Sequence, residues 1–296
     1  MYYLVFAIFY LLSLLPLTAL YLLSDGCYFI TYYLLGYRKE VVFKNISIAF
    51  PEKSKEEQRM IAKQFYHHFW DNWIESLKLM SISGKALRRR VSGDMKALQN
   101  LHAAGRNFYI LLGHQFNWEW ANAFVAMDGV QVLCAYAPLS NKIIDRLLLH
   151  IRTRFGAVLL PFNDMRRGML PYRNQQWMLA LMADQSPPIP EKSYWLNFFG
   201  RPTAFLKGPD RGARLGNLPV VYVALRKPAR GKYDLQARLL TNGAGQLQEG
   251  ALAQLYAAAL EESILQQPSL YLWSHNRWKH HWKEAYANGT ITGQVD

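Results

Sequence analysis

A histidine and a carboxylate five residues apart, His114 and Glu119, come directly after the apolar run Phe108-Tyr109-Ile110-Leu111-Leu112-Gly113. The run predicts a buried strand ended by Gly113, and Trp118 to Met127 predicts a helix behind it. A histidine at a strand end with an acid in the next helix's first turn suits general base chemistry. A carboxylate that holds one imidazole nitrogen fixes the tautomer and leaves the other nitrogen to take a proton from a hydroxyl. The plainer reading is a strand-end turn with Glu119 as a carboxylate favoured by the helix dipole. Two features favour chemistry. Open α/β sheets place ligands at the carboxyl ends of their strands, and this chain joins the pair to a long apolar N-terminus and a large basic excess.

The elements that must position the pair read as α/β. Short apolar runs recur at Phe108–Leu112, Val130–Ala135, Ala157–Pro161, Met178–Ala183 and Val220–Leu225, with helix-like segments such as Lys142–Arg154 between the early ones. That alternation predicts a sheet with crossover helices. Tyr233–Leu240 adds a last alternating strand, and Ala251 to Gln266 a helix ended by Pro268. Ahead of them, Ser54-Lys55-Glu56-Glu57 is a capping box that opens a long helix. In it Ile61, Phe65, Phe69 and Trp73 recur every fourth residue, and His67, His68, Asp71 and Glu75 fall on other faces, which read as solvated.

With 296 residues, 51% of them hydrophobic, the chain is long enough for one large domain with a proper core, or for two small ones. A formal charge of +13 and a pI of about 9.7 imply an acidic partner: nucleic acid, anionic lipid or an acidic carrier protein. No nucleic-acid motif accompanies the charge. The two cysteines, Cys27 and Cys134, sit in different surroundings, one near the apolar N-terminus and one in a predicted strand, which disfavours a disulfide and suits a reducing compartment. His and Cys do not cluster at zinc-like spacing, so neither metal nor cofactor is expected.

Residues 2 to 24 carry no charge, a length that can span a hydrocarbon core, with Pro16 placed to kink it. Tyr28 to Tyr37 is too short to span and suits the interface. The first basic residues, Arg38 and Lys39, come after this segment, which puts the catalytic candidates on the cytoplasmic side. A monotopic helix hairpin is the competing reading.

The His-x4-Glu motif resembles the His-x4-Asp/Glu signature of glycerolipid-type acyltransferases. The chain as a whole resembles one branch, the late (secondary) acyltransferases of lipid A biosynthesis, the lauroyl/myristoyl transferase family. Five collinear stretches carry the resemblance: Asn45 to Glu52, His114 to Glu119, Ala183 to Gln185, Phe198 to Gly200 with Thr203-Ala204, and Pro268 to Lys279. Together they cover roughly residues 40 to 284. The resemblance implies a glycerolipid acyltransferase-like fold and transfer of a fatty acyl chain from acyl carrier protein, or from acyl-CoA, to a hydroxyl of a lipid A precursor. It places Arg152 where the family carries a functionally important arginine, suited to phosphate or developing negative charge. It implies that Asp184 and Gln185 line the site and that Phe198 to Pro202 forms part of the substrate groove. One departure stands out. Tyr136-Ala137-Pro138 replaces the family's frequent Tyr-Arg-Pro or Tyr-Lys-Pro, so a cation is missing there.

The expected fold is α/β, a central mostly parallel sheet flanked by helices, with an N-terminal transmembrane or interfacial helix. The expected organisation is a membrane anchor over 1–37, a catalytic domain over 38–284 and a polar tail over 285–296. His114 and Glu119 are the catalytic candidates. Asn117, Arg152, Arg154, Asp184, Gln185, Phe199 and Gly200 are the substrate-binding candidates. The expected partners are acyl carrier protein, an anionic glycolipid acceptor and the bacterial inner membrane. Other readings are a different glycolipid, aminolipid or phospholipid acceptor, or a non-catalytic membrane-anchored binder of anionic polymer.

Overall fold

Apolar runs bounded by turn residues form the strands. The computed structural model describes residues 1–291, and in it nine strands occur: β1 (Val91–Asp94), β2 (Phe108–Leu112), β3 (Gln131–Tyr136), β4 (Val158–Pro161), β5 (Trp177–Met182), β6 (Tyr194–Phe198), β7 (Arg201–Phe205), β8 (Val220–Ala229) and β9 (Lys232–Thr241). Seven of them make one sheet in the order β1-β9-β8-β2-β5-β3-β4. Its pairings are parallel except for the β8–β9 hairpin. Strands β6 and β7 form a separate antiparallel hairpin. The central strands of the large sheet are covered on both faces, as parallel sheets flanked by helices are. On β2, Phe108 and Ile110 pack with Trp120 and Val132, while Leu111 joins Tyr256 and Leu260.

The helices are α1 (Tyr2–Leu14), α2 (Leu17–Phe29), α3 (Lys39–Ala49), α4 (Lys55–Lys78), α5 (Gly84–Arg88), α6 (Lys96–Ala103), α7 (Trp118–Ala126), α8 (Lys142–Thr153), α9 (Met165–Met169), α10 (Gly208–Leu215) and α11 (Ala251–Gln266). Helix α4 starts at the expected capping box: Ser54 Oγ accepts the Glu57 N–H, and Glu57 Oε2 accepts the Ser54 N–H.

The N-terminus departs from a single span. Among the described residues no single helix is long and apolar enough to cross a membrane; α1 and the helical stretch Leu17–Leu35 are bent by 115° at their break. The break sits at Pro16, which removes an N–H and forces extended backbone on Leu15 (φ −54, ψ 147). The carbonyls freed there are taken up by the end of α4 and the turn after it. Lys78 Nζ donates to Ser13 O at 2.7 Å and Leu15 O at 2.8 Å, and Ser81 Oγ to Ser13 O at 2.6 Å. Leu17, Leu20, Ser24 and Tyr28 of α2 are buried, whereas Tyr3, Leu4, Leu11, Leu22, Leu34 and Leu35 are exposed.

One further expectation changes. The polar residues of α4 are not all solvated: Asp71 is 2% exposed and Glu75 0%. The segment expected as a polar tail is described as far as residue 291. Glu284–Gly289 forms a 3-10 turn, and the buried Tyr286 stacks on Trp195 with ring centroids 5.1 Å apart. Residues 292–296 of that tail lie outside the described residues.

Candidate active site

Strands β2 and β5 are hydrogen-bonded neighbours, with Leu112 opposite Met182. His114 and Asp184 each lie two residues beyond that last pair, so the register brings them together at the sheet's carboxyl edge. Asp184 accepts twice from His114: Oδ2 from the main-chain N–H at 3.0 Å and Oδ1 from Nδ1 at 2.8 Å. A carboxylate only accepts, so the proton of the neutral imidazole sits on Nδ1 and the lone pair on Nε2. Nε2 makes no hydrogen bond among the described residues. Burial alone would raise the Asp184 carboxyl; the His114 charge and its two hydrogen bonds outweigh burial and hold it at about 2.

The loop carrying His114 is fixed from outside. A Cβ at Gly113 would lie 2.3 Å from Leu260 Cδ1 of α11, so a larger residue there must push that buried side chain aside. Gln115 bridges Tyr271, Phe116 N donates to Leu270 O, and Leu272 N donates to His114 O, each of these last two at 3.0 Å. Ser263 Oγ donates to Gln115 Oε1 at 2.8 Å. The imidazole meets the Trp118 ring edge-on at a centroid distance of 5.5 Å.

Asp184, not Glu119, is therefore the carboxylate on His114 Nδ1. Glu119, 5% exposed, is turned to Arg152, whose Nε and Nη2 donate to it at 2.6–3.0 Å. Glu119 also accepts from Trp118 Nε1 at 3.0 Å, so the indole links the His114–Asp184 and Glu119–Arg152 pairs. Burial would lower the Arg152 pKa, but Glu119 outweighs it and keeps the guanidinium charged. Asn122 Nδ2 donates to Arg152 O at 3.1 Å, tying α7 to α8. Burial pushes the nearby Cys134 thiol up to about 12, which disfavours its thiolate form.

Asn117 caps α7: its Oδ1 accepts the Trp120 N–H at 3.0 Å, and its Nδ2 donates to Glu75 Oε2 at 2.9 Å. Glu75 also accepts from Tyr21 OH at 2.8 Å and Tyr233 OH at 2.7 Å. Burial, above all else, raises its carboxyl pKa.

The family model for bacterial lipid A biosynthesis acyltransferases matches residues 1–280. The chain belongs to this family. Among curated relatives, it is 20% identical to a Haemophilus influenzae protein described as a lipid A biosynthesis acyltransferase, over 77% of this chain and 72% of that one. It is 23% identical to a Shigella flexneri lipid A biosynthesis acyltransferase 2, over 67% of this chain and 61% of that one.

In this acyltransferase family member the remaining candidates divide. Gln185 stands half-buried beside Asp184. The next residue, Ser186, donates its N–H to His275 Nε2 at 2.8 Å. Burial is the main reason the His275 pKa drops to about 4, so His275 is a neutral acceptor that holds the Asp184 loop. Arg154 is turned away from the pair: its Nη1 donates to the carbonyls of Leu79 and Ile82, both at 2.6 Å, anchoring the end of α8. Phe199 and Gly200 are the turn of the β6–β7 hairpin, at φ 52 and φ 70. The Phe199 N–H donates to Glu261 Oε2 at 2.8 Å, and its ring packs edge-on against Phe50 and Trp278. Two neighbours of the site are not legible as such in the sequence: Glu75, which reads as a solvated helix face and accepts from Asn117, and Trp118, which reads only as the start of a helix and packs on His114.

Proposed function

We propose that this family member transfers a fatty acyl chain from acyl carrier protein to a hydroxyl of a lipid A precursor, with His114 as general base. The observation that carries the reading is the His114–Asp184 pair: one ring nitrogen is held by a buried carboxylate at 2.8 Å, and the other is left without a protein partner among the described residues. In the proposed step Nε2 takes the acceptor's hydroxyl proton as its oxygen attacks the thioester carbonyl. The tetrahedral intermediate collapses, the C–S bond breaks, and the imidazolium returns the proton to the leaving thiolate. The products are an ester and the free thiol of the carrier. In this reading Arg152, held by Glu119, is the cation assigned to the negative charge that develops on the carbonyl oxygen. The thioester is already activated, so the chemistry asks for no metal.

The exposed apolar residues of the bent α1–α2 pair support seating in the bacterial inner membrane. Arg38 and Lys39 support a cytoplasmic position for the unit over 38–284. The formal charge of +13 complements an acidic carrier and an anionic glycolipid.

The test supplies labelled acyl carrier protein and a tetra-acylated lipid A precursor to the protein in detergent micelles, beside His114→Ala. Label should move to the lipid, and the substitution should lower turnover by about 10²–10⁴-fold while thermal unfolding still shows one cooperative transition. Unchanged turnover in His114→Ala would overturn the assignment of the base.

A further inference from the structure

Apart from the His114–Asp184 pair, a cavity of about 290 Å³ is lined by Lys44 of α3, Arg201 of β7, and His280, His281, Trp278 and Trp282 of the C-terminal segment. No carboxylate lines it. Lys44 and Arg201 form no ion pair among the described residues, whereas Arg152, Lys227 and Arg230 are all matched to acids. Cations gathered around one concavity without a counter-charge repel one another, and an anion there relieves that repulsion. Both indoles are pinned by their own N–H groups: Trp278 Nε1 donates to Thr203 Oγ1 at 2.9 Å, and Trp282 Nε1 to Thr290 Oγ1 at 3.0 Å. The rings therefore offer carbon surface to the cavity. His280 is held as well, its Nε2–H donated to Pro187 O at 2.9 Å.

The cavity is joined to the catalytic pair by one strip of chain. Ser186 Oγ donates to the carbonyls of Asn276 and Arg277, both at 2.8 Å, and His275 accepts from Ser186 N. The residues from His275 to His280 are thus laced to the loop from Asp184 to Pro187. A ligand held at one end of that strip is registered against the base at the other.

The geometry points to this cavity as the subsite for a phosphorylated sugar of the acceptor glycolipid, Lys44 and Arg201 taking the phosphate and the two indoles the sugar. The assignment rests on the acyl-transfer reading above for the identity of the acceptor. Phosphate is the anion that guanidinium and ammonium groups match, and aromatic faces suit the C–H faces of a sugar ring. A volume of about 290 Å³ lies at the small end of ligand pockets, enough for a ring and its phosphate and too little for a whole glycolipid. An acidic carrier protein would instead meet a broad surface of about 800 Å².

The experiment measures initial rates and equilibrium vesicle binding for the full chain and for Lys44→Gln/Arg201→Gln. The acceptors are a phosphorylated lipid A precursor and the same lipid after phosphatase treatment. Lys85→Gln/Arg89→Gln, exposed and elsewhere, is the charge-matched control. The expected result is a KM for the phosphorylated acceptor raised about ten- to a hundredfold, with kcat within a few-fold. The dephosphorylated acceptor should bind wild type and variant alike, and the control should behave as wild type. Arg201→Glu should weaken binding further without unfolding, since Arg201 is exposed. Equal KM values for the phosphorylated acceptor in wild type and variant would overturn the subsite. So would an increase in KM confined to the acyl carrier, which would make the cations a carrier contact. Vesicle binding repeated in the His114→Ala background needs no turnover. Binding that depends on Lys44 and Arg201 there supports the subsite even if acyl transfer fails, and loss of that dependence overturns it.

Discussion

His114–Asp184 and Lys227–Asp71 are chemically similar pairs with opposite fates. Each joins a nitrogen to a buried carboxylate, at 2.8 Å and 2.9 Å, and the carboxylate side chains are 1% and 3% exposed. Around Asp71 every charge is matched. It accepts from Ser24 of α2, from Lys227 of β8 and from Arg230 in the β8–β9 turn, and Arg230 continues to Asp25. Lys227 donates on to His68 Nδ1 at 3.0 Å. That cluster pins the N-terminal helices, α4 and the hairpin to one another, and each of its carboxylates meets a cation. Around His114 one ring nitrogen is left over. Polar atoms without partners also gather on the neighbouring segments: Gln115 Nε2, Asn276 Oδ1 and two Arg277 guanidinium nitrogens. Closed networks specify structure, whereas a catalytic site keeps an unsatisfied group in reach of substrate.

The largest effect should separate the two at the level of turnover. Asp184→Asn keeps the volume but lets the side chain stabilise the wrong imidazole tautomer and removes the charge that supports the imidazolium. Turnover should fall on the order of 10⁴-fold, by analogy with other imidazoles that lose an orienting carboxylate, measured under saturating donor and acceptor. A loss below tenfold would mean that Asp184 only shapes the loop.

The mirror experiment is Asp71→Ala. It strands Lys227, whose side chain is 4% exposed, without its carboxylate. Breaking a buried pair from one side costs about 3–5 kcal/mol, so the denaturant midpoint should drop sharply. Turnover per folded molecule at low temperature should hold within a few-fold. Lost turnover at unchanged stability would erase the distinction between the clusters.

The same difference governs how much of each cluster is legible in the sequence. The histidine, its strand and the α/β alternation emerge from local pattern, because a buried run ending in glycine constrains its own neighbourhood. The partner of His114 does not, because it lies 70 residues away and arrives through the β2–β5 register. Glu119, only five residues from His114, belongs to Arg152 because α8 packs on α7. Asp71 and Glu75 resemble a solvated face for the same reason: Lys227, Arg230 and Tyr233 come from the hairpin, far along the chain. Strand β1 has no apolar run to announce it. The β6–β7 turn needs a positive φ at Phe199, a conformation that a bulky residue's type does not predict. Pro16 is legible as a kink, but the sharp bend depends on Lys78 and Ser81 binding the freed carbonyls.

The smallest effect is in the response to acid. Burial first, and then the neighbouring Lys227 charge, lower the His68 pKa to about 3, with Asp71 opposing and His67 and Arg230 adding to the shift. The geometry gives the cause, since Lys227 can only donate and His68 Nδ1 must stay unprotonated to accept. In the unfolded chain the group titrates near 6.5, so its contribution is fully present above that pH. It is lost as pH falls from about 6.5 towards 3, because only the unfolded state binds the proton there. The slope approaches about 1.4 kcal/mol per pH unit, or on the order of 2 kcal/mol by pH 5. His68→Gln keeps an acceptor for Lys227 and removes the titration, so its stability should fall less between about pH 7 and pH 5 than that of wild type in parallel denaturant titrations. The Asp184 carboxyl has the same sign in a lower window: its contribution is present above about 3.8 and lost as pH falls through about 2. Loss of stability confined to that lower window in both proteins would show that the Asp71 cluster stays open to protons, and the contrast between a closed network and an open site would fail.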